Sequence, residues 1–288
     1  MKYQGNKNRI VVDILQIILK NRKNGQWYVE PFCGSCSVIQ RVRGNRMASD
    51  KNKYLIAMWK SLTSGKEMPT EIPRELYNDV RDCFHGKNNR YDDDMIGWVG
   101  YMASFNGRFF DGGYTGHEAV GANGKVRNYI AENIANTLRQ VEDLKGVVWQ
   151  CGDYNSISIP ENSIIYCDPP YRNTKEYQFS RGFDFDSFYN WCHEMSDKGH
   201  TVIVSEYAMP DSFECIWSKK LTNAMNPTIT KNAVERLFVP KSSVEKMNDV
   251  EPEIEFDEPD VKPNELTESY NDMMKRMDNL YDDNYGIQ

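Results

Sequence analysis

Short apolar runs alternate with amphipathic stretches along most of this chain, a pattern that predicts an α/β fold. Residues 9–20 place Ile10, Ile14, Ile17 and Ile18 at helical spacing. WYVEPF (27–32) reads as a short buried strand ending in a turn, 35–43 as the helix behind it, and RMASD (46–50) as a second strand ending in an acid. VVWQCGD (147–153), SIIYCDPPY (163–171) and TVIVSEY (201–207) supply three more strands, and ECIWS (214–218) and AVERLFV (233–239) close the sheet. Ahead of the strand at 201–207, residues 185–198 carry Phe188, Trp191, Cys192 and Met195 on one face of an amphipathic helix.

Between 63 and 145 the pattern changes. It is helical around 75–84 and 126–144, with the aromatic, glycine-rich run SFNGRFFDGGYTGHEAVGANGK (104–125) between them. A connection this long between two strands reads as an inserted lobe. After Pro240 the acidic stretch EPEIEFDEPD (251–260) predicts disorder. Beyond it, Leu266, Tyr270, Met273, Met274, Met277 and Tyr281 line one face of a terminal helix suited to docking on the body or on another chain.

Charge changes this picture. The net value of −7 looks unfavourable for a polyanionic partner, but residues 241–288 hold five basic and fourteen acidic residues, a balance of −9 that leaves +2 for residues 1–240. An acidic tail on a near-neutral body is compatible with binding nucleic acid. No apolar run approaches the roughly 18 residues of a membrane span, and the N-terminus lacks a signal peptide's apolar stretch. Seven cysteines without framework spacing point to a reducing compartment, so a cytoplasmic protein is expected.

The strongest chemical signal is Asp168-Pro169-Pro170-Tyr171, directly after an apolar run and therefore at the carboxyl end of a strand, where open α/β sheets bind ligands. Two prolines remove two N–H donors. What remains is acceptor-rich, the Asp168 carboxylate and the Pro169 carbonyl, with an aromatic face at Tyr171. This suits a planar amino group on a heterocycle. Upstream, Glu30-Pro31-Phe32-Cys33-Gly34-Ser35-Cys36-Ser37 forms a small-residue turn that lets a ligand approach the backbone near a helix N-terminus. Asp50 ends the next strand, where a carboxylate can accept hydrogen bonds from ribose hydroxyls. The turn is neither GxGxxG nor a phosphate-cradling P-loop. Cys33-x-x-Cys36 has no second cysteine pair, so a metal site is not expected. Glu206 ends its strand near the expected base pocket or is simply an exposed acid there.

EPFCGSCSV (30–38), SDKN (49–52) and YCDPPY (166–171), preceded by YQGNK (3–7), resemble the Dam-type, D12-class DNA adenine methyltransferases over about residues 1–240. The resemblance implies a Rossmann-like catalytic domain built from 1–62 and 146–240, with a DNA target-recognition lobe at 63–145. It implies S-adenosylmethionine as cofactor, held by Tyr3, Lys7, Glu30, Phe32, Gly34, Asp50, Asp153 and Asp168. Asp168, Pro169, Pro170 and Tyr171 would hold a flipped adenine. RLFV (236–239) resembles the family's late strand, and Asn106-Gly107-Arg108-Phe109 its Asn-Gly…Arg-aromatic stretch. With double-stranded DNA as partner, Asn106, Arg108, Tyr114, Lys125 and Arg127 are the expected contacts. Ser35 and Cys36 depart from the family's glycine-like turn. Two other readings stay open on residues alone: methylation of another planar amino group (cytosine N4, an RNA adenine, a protein glutamine), and a non-catalytic binding protein of the same fold.

Overall fold

The chain runs α1 (Val11–Ile18), β1 (Tyr28–Glu30), β2 (Arg46–Asp50), α2 (Lys53–Thr63), α3 (Arg74–Phe84), α4 (Asp93–Ala103), β3 (Ala119–Val120), β4 (Val126–Arg127), α5 (Tyr129–Leu144), β5 (Val148–Cys151), β6 (Ile164–Cys167), α6 (Phe185–Asp197), β7 (Thr201–Glu206), β8 (Phe213–Leu221), β9 (Ala233–Pro240) and α7 (Lys241–Asn248). These elements come from a computed structural model that describes residues 1–3, 5–116, 119–120, 124, 126–172, 181–221 and 233–248. Seven strands form one sheet in the order β5-β2-β1-β6-β7-β9-β8. The first five are parallel, and β9 runs against both β7 and β8. The chain leaves β1 toward β2 on one side and later returns to β6 on the other, which opens a crevice at the carboxyl ends of the strands.

Period-2 alternation explains why the central strands are apolar throughout. Tyr28, Ala48, Ile164, Tyr166, Ile203, Leu237 and Val239 join one core with residues of α1 to α5. Val29, Met47, Ile165, Cys167, Val202, Val204 and Phe238 face the other core, closed by Phe188, Trp191, Cys192 and Met195 of α6. A strand covered by helices on both sides has no face left for water. Both the α/β class and the α6 stripe agree with the sequence pattern.

Residues 63–145 have no core separate from the sheet: Ile72, Tyr77, Val80, Trp98, Ile130 and Leu144 belong to the same cluster as Tyr28 and Ile164. Residues 1–247 pack as one unit. The expected boundaries at 62/63 and 145/146 are therefore not marked by a break in packing, and the helices of this stretch form a layer over the sheet.

Three local expectations need correction. The helix at 35–43 is a single 3₁₀ turn, Ile39–Arg41. Gly34 (φ 44°) and Cys36 (φ 58°) take the left-handed region, which coils the chain after β1 instead of starting an α-helix. The helix at 126–144 begins only at Tyr129, because Asn128 caps it by accepting from Ala131 N at 2.9 Å, and Val126–Arg127 pairs with Ala119–Val120 as a two-stranded ribbon. The strand read into 163–171 stops at Cys167, ahead of the prolines. Sequence reading also passed over α2 and α4; α4 is buried on nearly all sides and carries two glycines, so it lacks a polar stripe. The tail segment 251–260 and the stripe from Leu266 to Tyr281 lie outside the described residues.

Helix α2 starts immediately after Asp50 and carries the cofactor-side edge of the sheet, so its packing on α4 bears on the site. Gly97 makes that packing possible. A Cβ there would collide with the Tyr54 carbonyl and sit 3.0 Å from Met58 Cβ. Gly97→Ala is expected to destabilise the fold by about 1–3 kcal/mol through overpacking, read as a fall of several degrees in the thermal midpoint. An unchanged midpoint would show that the helices separate freely.

Candidate active site

Three strand ends and the N-terminal segment wall a cavity of about 580 Å³. β1 ends at Glu30, and the coiled turn that follows puts Phe32, Cys33, Gly34, Ser35 and Ser37 on its wall. β2 contributes Asp50 from its last position, β6 delivers Asp168, Pro169, Pro170 and Tyr171, and residues 3–10 cross the opening with Tyr3 and Lys7. The order of the sheet brings these segments together: β1 lies between β2 and β6, so residues far apart in sequence converge at one crevice.

The cofactor side is shaped by close approach. A Cβ on Gly34 would stand 2.9 Å from the Tyr3 ring, so only glycine fits beneath it. Tyr3 packs on Tyr101 at 5.7 Å, and the Gly34 carbonyl accepts from the Trp59 indole N–H at 3.3 Å. Asp50 accepts from Gly34 N (3.2 Å) and Asn52 N (2.9 Å), which ties the turn to the end of β2. Burial pushes the Asp50 carboxyl up to about 6 despite these two amides. Asp153 accepts from Tyr154 N at 2.8 Å and pairs with Lys51 at 3.0 Å. Phe32 stacks among Tyr154, Phe183 and Phe188 at 5.6 to 5.9 Å. Buried carboxylate, aromatic shelf and a glycine with no room for a side chain together fit a nucleoside-bearing cofactor.

The base side is built around Lys7. Its ammonium lies 2.9 Å from Asp168 Oδ1 and 3.8 Å from Glu235 Oε2, and donates to the Tyr171 hydroxyl at 2.7 Å. Burial works to lower the Lys7 pKa, but Asp168 and Glu235 outweigh it and hold the ammonium above its ordinary value. Burial likewise raises the Asp168 carboxyl, and Lys7 offsets only part of that rise. Tyr171 donates to Glu235 Oε2 at 2.8 Å, shares a hydrogen bond with Ser205 at 2.9 Å, and meets Tyr207 edge-on at 4.6 Å.

Every expected cofactor residue except Glu30 reaches the cavity wall. Glu30 is buried behind it, accepting from Tyr28 OH at 2.7 Å, and burial pushes its carboxyl up to about 8. Glu206 is also buried. It accepts from Arg172 N at 3.0 Å, is pushed up to about 8 by burial, and its Oε2 has no hydrogen-bond partner among the described residues. The reading of Glu206 as an exposed acid is therefore wrong. Of the expected DNA contacts, Arg108 lines the cavity and is held by Asp111 at 2.8 Å. Asn106 sits exposed beside it in a left-handed turn (φ 53°). Tyr114 and Arg127 stand off the cavity wall: Tyr114 OH donates to Ile72 O at 2.7 Å, and Arg127 grips Glu132 at 2.8 and 2.6 Å. Lys125 lies outside the described residues.

Sequence reading missed Glu235, Tyr154, Phe183 and Tyr207, all on the wall. Glu235 had a signal. In AVERLFV it shares the face of Leu237 and Val239, so an acid occupies an otherwise apolar inner row.

The sheet, the glycine turn, the acid closing β2 and the Asp-Pro-Pro-Tyr closing β6 define an S-adenosylmethionine-dependent methyltransferase. Residues 3–95 match the family model of the D12 class N6 adenine-specific DNA methyltransferases. The retron Ec67 DNA adenine methylase of Escherichia coli is 24% identical over 224 residues, which are 71% of this chain and 75% of the relative. A weaker likeness, at 13% identity and a TM-score of 0.31, is to the crystal structure of SMU.472 complexed with SAH; it covers 82% of this chain and about half (53%) of that one. The chain is thus similar to DNA adenine N6-methyltransferases, over residues 3–95 by the family model and over 224 residues by the relative. Among the described residues no helix is long and apolar enough to cross a membrane.

Glu30 gives the site a pH signature. Its folded pKa, about 8 against an ordinary 4.5, means that the folded state binds the proton more tightly. Between those values the native chain holds more protons than the unfolded one, so stability falls as pH rises, by up to about 1.4 kcal/mol per pH unit. Asp50 and Glu206, both raised, add the same sign. Glu30→Gln should flatten the decline between pH 5 and 8.5 in urea midpoints. A slope equal to that of the parent protein would remove Glu30 from this account.

Proposed function

We propose that this protein methylates adenine N6 in double-stranded DNA after rotating the target base out of the helix, with Asp168, Pro169 and Tyr171 holding the base and Tyr3, Phe32, Gly34, Asp50 and Asp153 holding the cofactor. The observation that carries the assignment is the meeting of Asp168 and Lys7, 2.9 Å apart, across the same cavity that Asp50 and Gly34 line. The family match ends at residue 95 and does not reach Asp168; what supports its inclusion is that Asp168 lines the same cavity as Tyr3, Gly34 and Asp50 of the matched segment.

The amino lone pair of adenine is delocalised into the ring and attacks poorly. Hydrogen bonds from its two N–H groups to the Asp168 carboxylate and the Pro169 carbonyl favour a pyramidal nitrogen with a localised pair. When bound, S-adenosylmethionine supplies the methyl group on a sulfonium. Asp168 then accepts the proton that nitrogen sheds. Most of the acceleration comes from holding the two reactants in line. The Tyr171 ring offers a stacking face that offsets part of the few kcal/mol lost on extruding a base.

Residues 63–145 face the DNA in this proposal. What supports it is that Tyr101, Gly107, Arg108, Phe109 and Asp111 of this stretch line the cavity mouth opposite the catalytic tetrapeptide. Residues 1–62 and 146–240 carry the chemistry, and the bacterial cytoplasm is the expected place of action.

Asp168→Ala should lower methyl transfer by roughly a hundredfold or more while changing DNA affinity only slightly. Nucleoside mass spectrometry of DNA from a methylation-free strain reads the first and gel-shift titration the second. Persistent N6-methyladenine in that variant would falsify the role. Asp50→Ala should weaken cofactor binding by about tenfold or more, the cost of losing a charged hydrogen bond, with turnover at saturating cofactor nearly intact. Calorimetric titration showing parent-like affinity would move the cofactor elsewhere.

A further inference from the structure

The charges on the cavity wall fall into local groups, and two cations are left over. Lys7 serves Asp168 and Glu235 at 2.9 and 3.8 Å, Lys51 serves Asp153 at 3.0 Å, and Arg108 serves Asp111 at 2.8 Å. Asp50, the remaining acid of the wall, is met by two backbone amides. Arg9 and Arg181 line the same cavity and are exposed. Neither makes an ion pair or a side-chain hydrogen bond among the described residues.

Their backbones are anchored while their heads are free. Arg9 precedes Ile10, which donates its N–H to Lys7 O at 2.9 Å and belongs to the core that α1 joins. Arg181 stands two residues before Phe183, whose ring meets Phe32 at 5.9 Å against the core on the other face of the sheet. The cavity therefore carries one free guanidinium from each layer of the fold. The planar fork of a guanidinium matches the oxygens of a phosphate. An adenine that reaches Asp168 has left its stack, and the phosphates on either side of an extruded nucleotide come to the cavity mouth with it.

We propose that Arg9 and Arg181 clamp the DNA backbone at the two phosphates flanking the extruded adenosine. This rests on the proposed function and adds backbone contacts from outside residues 63–145. Phosphate contacts position a nucleotide and carry no base information, so the two arginines set affinity and leave sequence choice to other residues. Exposure at the mouth favours DNA over the carboxylate at the cofactor's amino-acid end, which would lie within the cavity.

The test uses the full chain and a duplex carrying the sequence that the parent protein methylates. Arg9→Gln and Arg181→Gln should each weaken DNA binding and lower the slope of log affinity against log salt by about 0.9, the share of one phosphate. Cofactor affinity by calorimetry should stay at the parent value, and Arg9→Lys and Arg181→Lys, which keep the charge, should restore the slope. An uncharged methylphosphonate in place of one flanking phosphate should weaken the parent and cost the matching variant almost nothing further, a non-additivity that marks direct contact. A parent-like slope in either glutamine variant, or losses that simply add to those of the methylphosphonate, would overturn the proposal. So would a fall in cofactor affinity with the DNA slope unchanged, which would give the arginines to the cofactor's carboxylate. A parent protein that methylates no adenine would instead overturn the function on which the clamp rests.

Discussion

Carboxylates crowd one edge of this sheet, and a single ammonium makes the crowding tolerable. Glu30, Asp168, Glu206 and Glu235 all end or flank strands there, with Lys7 placed between Asp168 and Glu235. Burying an unpaired carboxylate costs several kcal/mol, and burying two near each other costs more, unless one is neutralised by a proton or a cation. The structure uses both remedies. Glu30 and Glu206, which meet no cation among the described residues, are pushed up to about 8 by burial and so favour the protonated form at neutral pH. Asp168 and Glu235, which share Lys7, are raised by burial but pulled back by it. Acids outside the reach of Lys7 are thereby relieved by a proton, and acids within it by the ammonium.

The same arrangement explains why residues 3–10 cross the mouth of the cavity. Lys7 can neutralise the strand ends only from above the sheet, so the N-terminal segment must be pinned there before the strands are occupied by ligand. Lys7 N donates to Ser37 Oγ at 3.2 Å, and Lys2 N to Asn133 Oδ1 at 2.7 Å on α5. Gly107 adds a contact from the other side, since a Cβ there would collide with the Lys2 carbonyl. The turn that carries Arg108 and the segment that carries Lys7 are therefore packed directly on each other. Arg108 and Lys7, on opposite sides of the cavity mouth, share one support.

Much of this was legible in the sequence, for identifiable reasons. Motifs whose work is done by short-range geometry could be read: the prolines that end β6, the acid that ends β2, the glycine under Tyr3. The α/β class followed because strands buried on both faces are apolar runs, and α6 because one of its faces is wet. The turn after β1 was misread because its residues tolerate a helix and only the left-handed backbone at Gly34 and Cys36 excludes one. Helix α4 was missed because burial on nearly all sides erases periodicity, whereas α2 keeps an apolar stripe of Leu55, Met58, Trp59 and Leu62 that could have been read. That Glu132, five residues on, holds Arg127 was not legible, because no local rule announces the pairing.

Glu235 belongs to a different class of omission. Motif reading looks for acids at the ends of strands, because in a parallel sheet every ligand-facing edge is a carboxyl end. An antiparallel strand added to such a sheet breaks that rule. It offers its beginning to the same edge, so a functional side chain there sits at the start of an apolar run and looks like a lapse in the core pattern. Glu235 and Asp168 have opposite positions in their strands and adjacent positions in the molecule. Only the direction of β9 reconciles the two, and direction is fixed by pairing across the sheet, by Glu206 against Arg236 and Val204 against Phe238, which no single stretch of sequence contains.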